Sequence, residues 1–141
     1  MKWLFSLLLL LTLAGCASVQ TKVKDGRTLA GQQRFFVLSN LNDNHAIDQL
    51  ITRSLKARGL TADYGPLTML PKETQVLITY KDRWTWDFSE HLIALEIGAI
   101  DPDPELVRPP YATAAYSKHV ELTTELDAVV NRIVGELLSA K

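Results

Sequence analysis

Residues 76–88 read V-L-I-T-Y-K-D-R-W-T-W-D-F, and residues 91–100 read H-L-I-A-L-E-I-G-A-I. In the first stretch Val76, Ile78, Tyr80, Trp84, Trp86 and Phe88 share one parity, whereas Thr79, Lys81, Arg83, Thr85 and Asp87 share the other. Successive strand side chains point to opposite faces, so the pattern predicts a long strand with one apolar side. Asp82 interrupts the apolar parity and predicts a bulge or bend there. Ser89-Glu90 supplies a turn, and 91–100 returns as the second arm of a hairpin.

Outward from this hairpin the other elements fall into place. Upstream, Arg34 to Ser39 (RFFVLS) is a short β-prone run that is apolar on both faces, as a strand buried between layers is. Ile47, Leu50, Ile51 and Leu55 then form one helical stripe, with Asn42 or Asp43 as its cap and Gly59 as its left-handed stop. A short strand follows near Leu60 to Tyr64. Downstream, Asp101 to Pro110 holds four prolines and predicts a loop. Tyr111 to His119 is a weaker strand. Thr124 with Asp127 opens a final helix striped by Leu126, Val129, Val130, Ile133, Val134, Leu137 and Leu138. Two one-faced helices and a one-faced hairpin predict an α+β fold: a mainly antiparallel sheet with a long central hairpin and both helices packed on one face. One domain, residues 34–141, is long enough to bury such a core.

The first sixteen residues carry a different signal. Lys2 is a positive start, and Trp3 to Leu13 is apolar apart from Ser6 and Thr12. That run makes about 16 Å of helix, short of a bilayer core of ~30 Å. It is the layout of a secretory signal peptide, residues 1–15. It ends in Leu13-Ala14-Gly15-Cys16, which resembles the lipobox of bacterial lipoproteins, and Cys16 is the only cysteine among 141 residues. No disulfide can form within the chain, and lipidation is the simplest use of this thiol. The alternative is an ordinary cleaved signal followed by an incidental cysteine. Residues 16–33 then read as the lipidated cysteine and a polar tether, with part of it near Val23 a candidate edge strand. Ala17 and Ser18 follow the cysteine. In lipoproteins of Gram-negative bacteria an Asp in the first of these positions marks inner-membrane retention. Its absence implies an outer-membrane anchor facing the periplasm. No cofactor is expected beyond the covalent lipid (palmitate among its acyl chains) on Cys16.

Composition narrows the function. Apolar residues are 47% and charged residues 22%, with a net charge of −1, so no basic excess exists to neutralise a nucleic-acid backbone. Trp84 and Trp86 are candidate partner-binding residues, since two neighbouring indoles dominate any interface they enter. Their parity equally allows them to be core. The expected outcome is a split, with Trp84 more buried than Trp86, which lies nearer the end of the hairpin. Asp87, Glu90 and His91 cluster in sequence and offer general acid–base groups, so an envelope-polymer hydrolase is the alternative function; it requires these side chains to converge in a cleft. His45 and His119 show no ligand spacing, and no metal site is expected. Asp101, Asp103 and Glu105 are a candidate calcium loop or, more simply, a solvated acidic one. Phosphate loops, nucleophile elbows and C-x-x-C motifs are absent from the sequence.

From about Arg34 to the C-terminus the chain resembles bacterial lipoproteins of the domain of unknown function 4136 type. The resemblance is carried by the lipobox, the helix ending in Gly59 and above all Val76 to Asp87, with Asp82, Trp84, Trp86 and Asp87 in a D-x-W-x-W-D run. It implies an envelope lipoprotein with no assigned activity, so only Cys16 has a role carried over. The leading expectation is a non-enzymatic binding or assembly-accessory module. It is held to the membrane by its anchor and takes an envelope protein or lipid-like ligand on the sheet face or edge the helices leave open.

Overall fold

The computed structural model describes residues 19–86, 88–121 and 125–141. The signal peptide, Cys16, Asp87 and Thr124 lie outside the described residues. The elements are β1 (Val19–Val23), β2 (Arg34–Leu38), α1 (Ile47–Ala57), β3 (Thr61–Gly65), a 3₁₀ turn (Leu67–Met69), β4 (Val76–Trp86), β5 (Glu90–Ile100), β6 (Ala112–Glu121) and α2 (Glu125–Ser139). The six strands form one sheet in the order β1-β6-β5-β4-β2-β3. β2 runs parallel to β3 and to β4, and every other pairing is antiparallel. The β2–β3 pair follows from α1, because a helical crossover returns the chain in the same direction, and the segment carrying the 3₁₀ turn then crosses to the other side of β2 to start β4 parallel to it. The result is the expected α+β architecture, with both helices on one face.

α1 begins after Ala46, which sits at φ 54, and Asp43 supplies the capping carboxylate from further upstream: its Oδ2 accepts the N–H of Ile47 at 2.7 Å and of Asp48 at 3.4 Å. The helix stops at Gly59, φ 79, in a Schellman arrangement: Leu60 N–H reaches the Leu55 carbonyl and Gly59 N–H that of Lys56. Arg58 then crosses to α2, donating to the Asn131 carbonyl at 2.8 Å.

One core lies between helices and sheet. Phe35, Val37, Val76, Ile78, Tyr80, Leu95, Ile97, Ala99, Ala112 and Ala114 meet Ile47, Ile51 and Leu55 of α1 and Val130, Ile133, Val134 and Leu137 of α2. α1 lies over β2 and β3, and α2 lies over β6, β5 and β1. The α2 stripe of Val130, Ile133, Val134 and Leu137 thus shares one core with Val76, Ile78 and Tyr80 of β4, while its main backbone neighbours are β6 and α1. The double-faced β2 is explained by a second small cluster. Phe36 points away from the helices and packs with Leu77 and Ile100, covered by Leu38, Leu67 and Leu70.

Two expectations need correction. Residues 19–33 are not a tether. β1 pairs with β6, Val19 opposite Tyr116 and Val23 opposite Ala112, and Leu29 is 2% exposed within the main core. Val19 and Val23 pack inward while Gln20 and Lys22 face solvent, and so short and polar an edge strand carries little signal in sequence. The irregularity expected at Asp82 falls beyond it, between Arg83 and Trp84, where Ile93 is the extra residue on β5. This bulge keeps Leu92, fully buried opposite Trp84, on the helix side.

Candidate functional site

The end of the β4–β5 hairpin and the loop after β2 form one constructed region. β2 runs parallel to β4, so the loop of residues 40–46 emerges beside the far part of the hairpin. Tyr80 fixes it there. Its hydroxyl donates to Asp43 Oδ2 at 2.7 Å and accepts the Asn40 N–H at 3.2 Å, while Asn40 Nδ2 donates to the Tyr80 carbonyl at 3.0 Å. Burial, reinforced by the hydrogen bond to Asp43, pushes the Tyr80 phenol well above its ordinary value. For Asp43, burial alone works upward. The hydrogen bonds from Tyr80 and from the backbone N–H groups of His45, Ile47 and Asp48 outweigh it and hold the carboxyl below the usual range.

Trp84 is half-buried at the edge of the main core. His45 stacks on its ring, centroids 3.7 Å apart with 19° between planes. The indole N–H donates to Asp82 Oδ2 at 2.6 Å. That bond explains the polar residue in an otherwise apolar parity: Asp82 and Trp84 are two apart on one strand face, so the carboxylate satisfies a donor that the core cannot. His45 Nε2 in turn lies 3.2 Å from Glu90 Oε2. Asp43, His45 and Asp82 offer ligand atoms within 4.8 Å of one another, a spacing a divalent cation can bridge. Each of the three is already engaged by protein: Asp43 by Tyr80 and the helix start, His45 by Glu90, Asp82 by Trp84. The cluster reads as a buttress for the hairpin.

The candidate residues separate accordingly. Trp84 is covered and Trp86 is 76% exposed, the split expected from their distance to the turn. Glu90 and His91 are neighbours on β5 and so point to opposite faces; Glu90 meets His45, and the Ser89 hydroxyl lies 2.9 Å from His91 Nε2. Asp87 lies outside the described residues. The convergence that the hydrolase alternative requires is absent for Glu90 and His91. In the proline loop, Asp101 holds Arg27 in a two-pronged pair at 2.5 and 3.2 Å, and Asp103 accepts from Arg108 at 3.2 Å and from the Glu105 N–H at 2.9 Å. Arg27 also lies 3.9 Å over the Tyr111 ring. Both carboxylates have cationic partners within the chain, Asp103 inside the loop and Asp101 at a distant segment that the loop sequence does not reveal.

The face of the sheet opposite the helices is open over β4, β5 and β6. Lys81, Arg83, Glu96, Ala94, Ala115 and Ser117 line a shallow depression of about 450 Å³. A second, of about 710 Å³, lies between Leu38, Thr79, Lys81 and the Val107–Pro110 segment. Gly98 defines the limit of the covered part: a Cβ there would meet Pro110 Cγ at 2.9 Å. Small side chains in the middle and Lys81 and Arg83 on β4 make this a flat, mildly cationic surface.

Asp43 was named from sequence as a helix cap, but the joining of Asp43, His45 and Tyr80 at this site, and the exposure of Phe88, were not read from it. The first three come from distant segments; Phe88 was legible as an aromatic next to a turn. Among the described residues no helix is long and apolar enough to cross a membrane.

No family model and no curated protein sequence matches this chain. Among solved structures, the PelC dodecamer from Paraburkholderia phytofirmans superposes with a TM-score of 0.55 at 12% identity, over 86% of this chain and 94% of that one. A variant of the same protein gives 0.57 at 13% identity, over 86% and 96%. These similarities show a shared fold. A minor lipoprotein from Acinetobacter baumannii matches more loosely, with a TM-score of 0.42 at 12% identity over 75% of this chain and 91% of that one.

Proposed function

We propose that this chain is a non-enzymatic envelope lipoprotein, anchored through a lipid on Cys16 to the periplasmic side of the outer membrane. It serves there as a binding or assembly-accessory module. The observation that carries the reading is the one-sided layering of the fold. Both helices cover the same face, and the opposite face of β4, β5 and β6 stays open, shallow and lined by Lys81, Arg83, Glu96 and Ser117. Such a surface suits a flat partner, an envelope protein or a lipid-like ligand, better than a small substrate, which calls for an enclosing cavity. The leader ending in Leu13-Ala14-Gly15-Cys16 supports the anchor, and the D-x-W-x-W-D run supports membership of the domain of unknown function 4136 type. The fold shared with PelC is consistent with it; the twelvefold assembly named for PelC belongs to that protein.

Two measurements test the proposal. Mass spectrometry of the N-terminal peptide from membranes should find acyl chains on Cys16, and Cys16→Ser should release a folded protein from the membrane fraction. A photo-crosslinker placed at Ser117 or Arg83 in the native membrane should trap a partner, whereas one on the exposed side of α2, at Asp127, should not. An unlipidated Cys16, or equal trapping from both faces, would count against it.

A further inference from the structure

The hairpin end carries apolar groups that neither the core nor the open sheet face uses. Trp86 is 76% exposed and Phe88 is 99% exposed. Leu41, in the loop that His45 and Tyr80 fasten beside the hairpin, is fully exposed as well. Phe88 sits at φ 58, a left-handed conformation that bulky residues avoid. Trp86 pairs with Glu90, so only three residues close the turn, and a strained position there is occupied by a solvent-facing phenyl ring where glycine or asparagine is the relaxed choice. Exposure and strain together make this a surface built for contact rather than for stability.

The sheet register says what lies opposite that surface. Val19 is aligned with Tyr116, Tyr116 with Leu95 and Leu95 with Asp82. Traced toward the N-terminus, β1 therefore runs in the same direction as β4 does toward its tip. Cys16 is three residues before Val19 in sequence, within a covalent reach of about 11 Å of that strand end. Trp86 is four residues beyond Asp82, about 13 Å along the same direction, and β4 stands about 14 Å to the side, three strand spacings away. The end of β1 that leads to Cys16 and the exposed aromatic tip thus lie at the same end of the sheet. With β1 beginning so soon after Cys16, no long spacer separates the domain from an anchored lipid.

We propose that Leu41, Trp86 and Phe88 form a second membrane contact, seating the domain against the lipid surface in which the Cys16 acyl chains are buried. This rests on the lipid-anchor reading. The chemistry fits: an indole lies well at the headgroup level, with its ring in the apolar boundary and its N–H toward water, while phenyl and isobutyl groups go slightly deeper. Glu90, at the base of the tip, is engaged by His45 at 3.2 Å, which eases the approach of that carboxylate to a lipid surface. Two attachment points separated laterally fix the tilt of the domain, which a single acylated residue leaves free. The open face of β4, β5 and β6 then stands across the membrane plane, accessible from the side.

The test uses the lipidated, signal-cleaved chain in vesicles of phosphatidylethanolamine and phosphatidylglycerol. A Trp84→Phe variant keeps a ring against His45 and leaves Trp86 as the only tryptophan after the leader is removed. Its emission should shift to the blue relative to the same variant made as unlipidated Cys16→Ser protein. Nitroxide-labelled phospholipid should quench it several-fold more than aqueous iodide does. The companion Trp86→Phe variant should show Trp84 weakly sensitive to both, which reports an intact fold. If the protein floats with the vesicles but Trp86 remains open to iodide, the second contact is refuted and the anchor stands. Trp86 shielded from both quenchers would mean that a protein surface covers the tip, and overturns the proposal. A chain that does not float because Cys16 carries no lipid removes the anchor and this inference together.

Discussion

His45 lies flat against Trp84, ring centroids 3.7 Å apart, although the two residues come from a loop and a strand separated by a whole helix and a further strand. The contact joins the start of α1 to the far half of the β4–β5 hairpin. The hairpin extends past β2, whose pairing with β4 ends at Val37 opposite Ile78, so this part of β4 has no strand on that side. The stack and the Asp43–Tyr80 bond substitute for the missing neighbour.

The stack should be measurable as a coupling. A double-mutant cycle on His45→Ala and Trp84→Ala should give an interaction of ~0.5–1.5 kcal/mol in urea unfolding, the range for stacked aromatic pairs. Additive effects would show that the rings are neighbours without mutual support.

Asp43 predicts acid sensitivity with a defined sign. Its folded-state carboxyl is held below the usual range, so the unfolded chain takes up the proton more readily. The stabilisation is whole above the unfolded value of ~3.9 and is lost as pH falls through the lower folded value. Asp43→Asn should be less stable near neutrality, and its unfolding midpoint should decline less steeply below about pH 4. Tyr80 acts at the other end: its raised phenol contributes fully below ~10 and loses that contribution as pH climbs further. Equilibrium unfolding at a series of pH values checks both slopes, and identical acid slopes for the wild type and Asp43→Asn would disprove the assignment.

Leu137 and Trp86 should behave oppositely. Leu137 is 1% exposed in the core, so Leu137→Ala should cost ~2–5 kcal/mol. Trp86→Ala, with its ring in solvent, should stay within about ±0.5 kcal/mol. Comparable losses for both in denaturant titrations would mean that the hairpin tip is folded back onto the core.

Gly98→Ala should destabilise by packing alone. Its added methyl meets Pro110 at 2.9 Å and Thr79 Oγ1 at 3.2 Å, so the proline segment must lift from the sheet. The expected loss is ~1–3 kcal/mol, the cost of overpacking. Because Tyr111 follows Pro110 and bonds to Ala99 and Lys24 through its backbone, amide exchange at Tyr111 should accelerate in the variant.

The elements read most reliably from sequence are those with a strong period: β4, β5 and the two helices. Their apolar positions recur at the period of the element and mark the face turned to the main core, where Ile78 and Leu137 are buried. β1 was legible only as a candidate edge strand near Val23, because VQTKV has too few apolar residues to declare a face. The bulge was expected at Asp82 and lies between Arg83 and Trp84 with Ile93 as the extra residue; its position on β5 was hidden because Leu92-Ile93-Ala94-Leu95 is apolar at adjacent positions. The exposure of Trp86 followed from its place near the turn. The His45–Trp84–Asp82–Glu90 cluster did not, since stacking and hydrogen bonding between distant segments leave no periodic trace.

The pairing of β1 with β6 also sets an order of events in assembly. Val19 finds its partner at Tyr116, about a hundred residues later, so this ladder closes one of the longest loops the chain can make and carries the corresponding entropic delay. For a polypeptide exported N-terminus first, as the proposed leader implies, the segment next to the acylation site emerges early and remains unpaired until nearly all of the sequence has followed. On the lipid-anchor reading proposed above, that interval is the window in which the modifying enzymes reach Cys16. Arrival of β6 then closes this edge of the sheet and, on the same reading, seats the folded body beside its anchor.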